Sequence, residues 1–217
     1  MNKDDLIEAR RDYTSNMLRR ENLAQTPLQQ FTHWLQEARD AKLIDATAMV
    51  VSTASANGQP HSRVVLLKQF DDAGFVWYTY QDSDKGRQIA ENPQASILFY
   101  WKELERQVRI EGPVTQLDPS LADDYFYSRP EGSRFSAAVS EQSQPVDNRA
   151  VLEERVANLH AQHPDGNVPR PSVWGGYLLK PARFEFWQGR ADRLHDRFIF
   201  TRENEQMEQW TVSRLQP

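Results

Sequence analysis

The chain of 217 residues contains no cysteine. That excludes disulfides, thiolate nucleophiles, zinc knuckles and iron–sulfur clusters, and it makes a reducing, cytoplasmic compartment the natural expectation. Redox chemistry, if the protein performs any, has to come from an organic cofactor. No apolar run approaches membrane-spanning length, and the opening residues mix Lys3, Asp4, Asp5, Glu8, Arg10 and Arg11 with few apolar positions, unlike a secretory leader. A basic excess is missing too. Lys and Arg number 26 against 31 Asp and Glu, a formal charge of -5, so nucleic acid is not an expected partner. The histidines His33, His61, His160, His163 and His195 are scattered and no HExxH occurs, so no metal centre is expected. GxGxxG and GxxxxGKS/T loops are absent, as is a nucleophile elbow. A bound phosphate would therefore be held by side chains.

What is present is a globular composition. Hydrophobic residues make up 39% and the aromatics include 6 Trp, 10 Phe and 7 Tyr, too many for a disordered chain. The length suits one ample core. Residues 1–25 read as a charged arm and residues 26–217 as a single domain. Leu28, Phe31, Trp34, Leu35 and Ala38 repeat at three and four, which predicts a helix from Pro27 to about Lys42. Strands follow at 49–54, 64–70 and 75–80, with turns at Asn57-Gly58 and Asp71–Gly74. Ser83 caps a helix through Ala90. Strands at 95–101 and 107–115 come next, the second interrupted by Gly112-Pro113, a bulge or edge signal.

Asp118-Pro119 opens a helix through Tyr127 that Arg129-Pro130 ends. Helices at 133–139 and 150–160, a loop at 163–171, and strands at 173–179, 183–187 and 197–202, with 209–215 as a candidate fourth, complete the chain. Short antiparallel strands with helices inserted between them favour a mainly β, α+β or barrel architecture over a parallel dinucleotide-binding sheet.

Several cations fall inside strand or helix-cap segments: Arg63, Lys68, Lys85, Arg87 and Arg129. Singly, each reads as a solvated group or a structural ion pair. Collectively they suggest bound phosphate, because a sheltered cation needs an anionic partner. Tyr125, Arg129 and Ser133 are spaced by four, but Pro130 breaks the helix that would stack them. They must meet at a junction between two helices, where a hydroxyl, a guanidinium fork and free amides suit an anion. The stretch Phe184 to Gly189, followed by Arg193-Leu194-His195-Asp196-Arg197, is by itself an aromatic strand and a charged turn.

The segments RVVLLK (63–68), WYTYQDSDKGRQI (77–89), ERQVRIEG (105–112), YFYSRPEGS (125–133), SEQS (140–143), FWQG (186–189) and RLHDRF (193–198) together resemble bacterial pyridoxine/pyridoxamine 5'-phosphate oxidases, from about Arg10 to the C-terminus. The resemblance implies an FMN-binding split β-barrel, antiparallel and Greek-key-like, in a homodimer whose two FMN molecules lie in clefts formed by both subunits. It implies oxidation of pyridoxine 5'-phosphate and pyridoxamine 5'-phosphate to pyridoxal 5'-phosphate. Dioxygen is the acceptor, and hydrogen peroxide and, from the amine, ammonia are released.

By position it assigns flavin binding to Arg63, Tyr78, Thr79, Lys85, Gln107, Gln142, Ser143, Trp187 and Arg197. Substrate phosphate falls to Lys68, Tyr125, Arg129 and Ser133. The pyridine end falls to Arg193 and His195, which would orient the ring and assist proton removal, and Arg10 and Tyr13 would close over it. One position departs from the family pattern: Asp84 stands where an arginine that helps hold the FMN phosphate is expected. The alternatives are a related flavin oxidase of another ring system, of the phenazine-biosynthesis type, and a non-catalytic flavin or haem carrier of the same fold.

Overall fold

A computed structural model describes Tyr13, residues 17–202 and residues 209–217. Most of the charged arm, Arg10 included, lies outside the described residues. In chain order the first elements are α1 (Pro27–Asp40), β1 (Ala48–Ala54), β2 (Pro60–Leu66), β3 (Gln69–Asp71), β4 (Gly74–Tyr80), α2 (Asp84–Glu91), β5 (Gln94–Trp101) and β6 (Arg106–Gln116). There follow α3 (Pro119–Ser128), α4 (Glu131–Val139), α5 (Arg149–Gln162), β7 (Trp174–Leu179), β8 (Arg183–Gln188), β9 (Asp196–Thr201) and β10 (Thr211–Leu215). The contacts divide the chain into two compact units, residues 1–50, 96–111 and 181–217 in the first and 51–95 and 112–180 in the second. No described helix is long and apolar enough to cross a membrane.

In the first unit, β6, β8, β9 and β10 form an antiparallel series. Because side chains alternate faces along a strand, Val108, Ile110, Phe184, Phe186, Phe198 and Phe200 share one buried face. Helix α1 covers it: Thr26 caps the helix by accepting from Gln29 N–H, and Phe31, Trp34, Leu35 and Ala38 are buried, with Trp34 edge-on to Phe186 at 5.3 Å. The opposite face is polar and carries Gln107, Arg109, Glu185, Trp187 and Arg197. Each fully buried Phe contributes roughly 1.5–3 kcal/mol by leaving water. The apolar face therefore fixes the register, and the register places the polar row.

The second unit holds two hairpins. Gly58 turns the first with φ of 84°, and Asp71 faces Gly74 across the second. Strand β4 pairs with β7, Trp77 opposite Tyr177. Phe126, Phe135, Tyr80, Val168 and Trp174 form a core under α3 and α4.

The structure differs from the sequence reading at three places. The strand expected over 64–70 is two strands, because β2 pairs with β1 whereas β3 pairs with β4; the change of partner bends the chain at Leu67-Lys68 and leaves Lys68 outside both. At Gly112-Pro113, expected to be a bulge or an edge, the strand changes partner and its register slips by one residue, from Glu111 opposite Arg183 to Val114 opposite Leu179. Strand β6 continues through this point, pairing with β8 over 106–111 and with β7 over 114–116, and the Pro113 carbonyl accepts from Lys180 N–H. Helix α5 exists but has no buried residue; Val156 and Leu159 lean on the core, and His160 stacks on Phe135 at 3.6 Å.

Candidate active site

The second unit contains a cavity of about 1170 Å³ into which its elements deliver a set of cations and hydroxyls. Arg63 comes from β2, Lys68 from the bend, Tyr78 and Thr79 from β4, Lys85 from the first turn of α2, Tyr125 from α3, Ser133 from α4, and Gln142 and Ser143 from the chain after α4. Arg129 sits where Pro130 separates α3 from α4, at the junction expected of it.

The hydrogen bonding in this cavity is unbalanced in charge. Lys85 is buried, and its Nζ donates to Thr79 Oγ1 at 2.9 Å, Ser83 Oγ at 3.2 Å and Gln142 Oε1 at 2.5 Å, all neutral. Arg63 donates to Thr53 Oγ1 at 2.7 Å, to Gln88 Oε1 at 3.1 Å and to the Val51 carbonyl, neutral again. Arg129 lies over the Trp174 ring at 5.0 Å, and its buried Nη1 has no hydrogen-bond partner among the described residues. Lys68 stands over Tyr125 at 6.0 Å. None of these four cations meets a carboxylate among the described residues. Lys85 is buried and Arg63 and Arg129 are half-buried, whereas Lys68 is exposed; for the first three, lack of a counter-charge is costly unless an anion arrives.

Burial, with Arg63 adding to it and Asp84 opposing, pushes the Lys85 ammonium down from its ordinary 10.5 to about 8. The unfolded chain therefore holds this proton more tightly than the fold does. Lys85 lowers the stability of the ligand-free protein below about pH 8, and that deficit is relieved as the pH rises towards 10.5. Phosphate affinity should move oppositely, falling above about pH 8 as the ammonium is lost. Anion titrations at pH 7 and 9.5 check this, and a Lys85→Met protein should lose most of the difference.

Among the described residues, Asp84 is the one acidic residue lining the cavity. Its carboxylate pairs with Arg87 at 2.5 Å, and its backbone N–H donates to Ser143 Oγ at 3.2 Å. Ser143 itself holds φ of 72°, a left-handed conformation unusual for a residue with a side chain.

In the first unit the register aligns Gln107, Trp187 and Arg197 as one row across β6, β8 and β9. Gln107 comes from a distant part of the sequence, whereas Trp187 and Arg197 face each other across the consecutive strands β8 and β9. Beside the row, the ring of Tyr13 meets Trp187 at 5.6 Å and His195 at 5.4 Å, both edge-on. Tyr13 also approaches Gly189 so closely that a Cβ there would lie 2.6 Å from the ring. His195 Nδ1 accepts the Arg190 N–H at 3.1 Å, so the neutral imidazole carries its proton on Nε2 and presents a donor. Burial first and Arg193 second hold its pKa below the ordinary value, which keeps that neutral form. Arg193 is exposed, with φ of 59°.

The expected site residues thus fall into two groups. Arg63, Lys68, Tyr78, Thr79, Lys85, Tyr125, Arg129, Ser133, Gln142 and Ser143 line the cavity of the second unit. Tyr13, Gln107, Trp187, Arg193, His195 and Arg197 belong to the first; Arg10 lies outside the described residues. Three contributors escaped the sequence reading. Gln88 ties Arg63 to Thr53, Trp174 seats Arg129, and Glu185 holds Arg197. Only Glu185 left a signal, an acid at the polar phase of an aromatic strand.

The chain is similar to known proteins along nearly its whole length. Residues 35–163 match the pyridoxamine 5'-phosphate oxidase family, and residues 174–217 match the C-terminal dimerisation region of pyridoxine 5'-phosphate oxidase. A pyridoxine/pyridoxamine 5'-phosphate oxidase of Hydrogenovibrio crunogenus is 48% identical over 98% of both chains, and one of Shewanella sp. strain MR-4 is 48% identical over 98% of this chain and 99% of its own. Among solved structures, PhzG of Burkholderia lata 383, in complex with tetrahydrophenazine-1-carboxylic acid, superposes with a TM-score of 0.86 at 31% identity, over 94% of this chain and 99% of that one. A pyridoxamine 5'-phosphate oxidase-related, FMN-binding protein of Nostoc punctiforme shares the fold, at a TM-score of 0.69, 17% identity and coverage of 90% and 100%. With its antiparallel α+β fold, its cation-lined cavity and a match to relatives along nearly its whole length, the chain belongs to the pyridoxamine 5'-phosphate oxidase family.

Proposed function

We propose that the protein is a homodimeric, cytoplasmic FMN enzyme that oxidises pyridoxine 5'-phosphate and pyridoxamine 5'-phosphate to pyridoxal 5'-phosphate. The observation that carries this reading is the cavity with four cations and, among the described residues, no carboxylate bonded to any of them. Two phosphates, one on the cofactor and one on the substrate, supply the missing charge. Arg63, Lys85, Gln142 and Ser143 fit the FMN phosphate end, and Lys68, Tyr125, Arg129 and Ser133 fit the substrate phosphate. The row Gln107, Trp187 and Arg197 offers an amide, an aromatic face and a cation to the flavin ring. The dimerisation region supports a site to which both subunits contribute.

When bound, FMN supplies the two-electron acceptor for the C4' carbon and passes the electrons on to dioxygen. The protein's own contribution is positioning. His195 donates from Nε2 to a ring substituent of the substrate, and Arg193 brings a cation to the same end. His195→Ala or Arg193→Ala should slow flavin reduction by about ten- to a hundredfold with flavin content intact. Stopped-flow reduction rates equal to wild type would remove both roles.

Asp84 weakens the grip on the FMN phosphate. A like charge near 4 Å costs about 1 kcal/mol in water and more where sheltered, so Asp84→Arg should tighten FMN by roughly fivefold to tenfold. Flavin fluorescence quenching measures it, and equal dissociation constants would reject it.

The likeness to PhzG raises a second reading, a flavin oxidase of an unphosphorylated ring. Lys68, Tyr125, Arg129 and Ser133 in one cavity favour the phosphorylated substrate. The test is direct: purified protein should be yellow, release FMN on denaturation, and make pyridoxal 5'-phosphate and peroxide from pyridoxamine 5'-phosphate in air. A protein that cannot be loaded with FMN refutes the reading, and turnover of unphosphorylated pyridoxamine at an equal rate would favour the alternative.

A further inference from the structure

Glu185 is a carboxylate with only 8% of its side chain exposed, on a strand whose other side is the aromatic core. It lies opposite Arg109 on β6 and one row from Arg197 on β9. Its two oxygens are divided between the two arginines. Oε2 accepts from Arg109 Nη2 at 2.6 Å, and Oε1 accepts from Arg197 Nε at 2.8 Å and lies 2.6 Å from Arg197 Nη2. The remaining Arg197 nitrogen, Nη1, donates to the Gln216 carbonyl at 2.8 Å. Every nitrogen of the Arg197 guanidinium is therefore held by this unit.

Burying a carboxylate costs several kcal/mol unless it is paired this closely, and its register partner on β9 is the apolar Ile199. A strand that merely needed to fold had no use for it. We propose that Glu185 is a positioning residue. It anchors Arg197 in line with Gln107 and Trp187, and together with Glu111, which pairs with Arg109 at 2.9 Å and Arg183 at 3.5 Å, it offsets two of the three positive charges that Arg109, Arg183 and Arg197 bring to this face. The inference rests on the reading above that this row meets the flavin.

A variant series on the dimeric protein tests it, with FMN dissociation constants from reconstitution of apoprotein and flavin midpoint potentials on the holoprotein. Arg197→Ala should weaken FMN binding and lower the potential, since a cation near the flavin favours its reduced, anionic form. Glu185→Gln should weaken FMN by about tenfold, the worth of one well-placed charge-assisted hydrogen bond. It should raise the potential, because a negative charge is lost. Opposite shifts distinguish positioning and charge balance from damaged folding, which would not choose a sign. Adding Glu185→Gln to Arg197→Ala should weaken FMN no further, because Glu185 acts through Arg197.

Glu185→Asp retains the charge one methylene short and should fall between wild type and Glu185→Gln. It replaces Glu185→Gln in the cycle if that protein does not fold. If Arg197→Ala leaves FMN binding and potential unchanged, the flavin reading of the row fails and the inference with it. If Arg197→Ala has its effect but the Glu185 variants bind as wild type, or their losses add to that of Arg197→Ala, the flavin reading stands and the role of Glu185 is overturned.

Discussion

Replacing Arg129 with alanine should raise the Michaelis constant for pyridoxamine 5'-phosphate by about two orders of magnitude while FMN content stays unchanged. Hydrogen bonds to a charged group contribute about 1.5–3 kcal/mol each, and a tenfold change in affinity corresponds to about 1.4 kcal/mol. Losing one guanidinium fork from a doubly charged phosphate therefore costs about a hundredfold. Arg129 reaches that value because it is already in place: the Trp174 ring at 5.0 Å and the Phe126 ring at 5.9 Å hold its guanidinium. Little side-chain freedom remains to be lost when phosphate binds. Lys68→Ala should lose less, since the lysine is a point charge on a flexible stem with one ring contact. Steady-state kinetics separate the two ends of the site, because turnover at saturation should fall far less than kcat/KM. A Michaelis constant within twofold of wild type for Arg129→Ala would mean that the phosphate is bound elsewhere.

The legible parts of the fold were those fixed by a few neighbouring residues. Asn57-Gly58, Asp71–Gly74, the Ser83 cap, Asp118-Pro119 and Arg129-Pro130 each state a local backbone requirement, and each marks a turn or helix end in the structure. The bend at Lys68 was not legible. Its run of Val, Val and Leu satisfies strand propensity throughout, and only the change of partner from β1 to β4 breaks it. The site divides in the same way. That sheltered cations near Tyr125, Arg129 and Ser133 await an anion follows from charge and from Pro130. That Gln107 joins Trp187 and Arg197 in a row follows from pairing between β6 and β8, strands far apart in sequence, which no local pattern encodes. Resemblance supplied those residues as names, and the register shows that they lie side by side. Glu185 shows in the sequence only as an acid at the polar phase of an aromatic strand; its burial is explained by Arg109, distant in sequence, and by Arg197 on the next strand.

Gly86→Ala should be strongly damaging to the second unit. Gly86 lies in the first turn of α2, and a Cβ there would sit 2.0 Å from the Gln81 carbonyl oxygen, 2.4 Å from its carbon and 2.8 Å from its Cα. These are backbone atoms, so no rotamer change relieves the clash. Gln81 is held in turn, its N–H donating to the Val173 carbonyl at 2.7 Å. The helix start must therefore move away, carrying Ser83 and Lys85 with it and breaking the arrangement of Thr79, Ser83 and Gln142 around the ammonium. Overpacking of this kind costs roughly 3 kcal/mol, which for a chain of this size lowers the melting temperature by roughly 6–12 °C. FMN affinity should fall as well, by about tenfold or more, since Lys85 loses its seat. Gly132→Ala is the matched control. Gly132 is in α4 with nothing within 4 Å of the added carbon, and alanine in a helix is favoured over glycine by about 0.5–1 kcal/mol, so its melting temperature should hold or rise. If Gly86→Ala melts with wild type, Gln81 gives way, and the close approach of α2 to it is not what holds Lys85 in place.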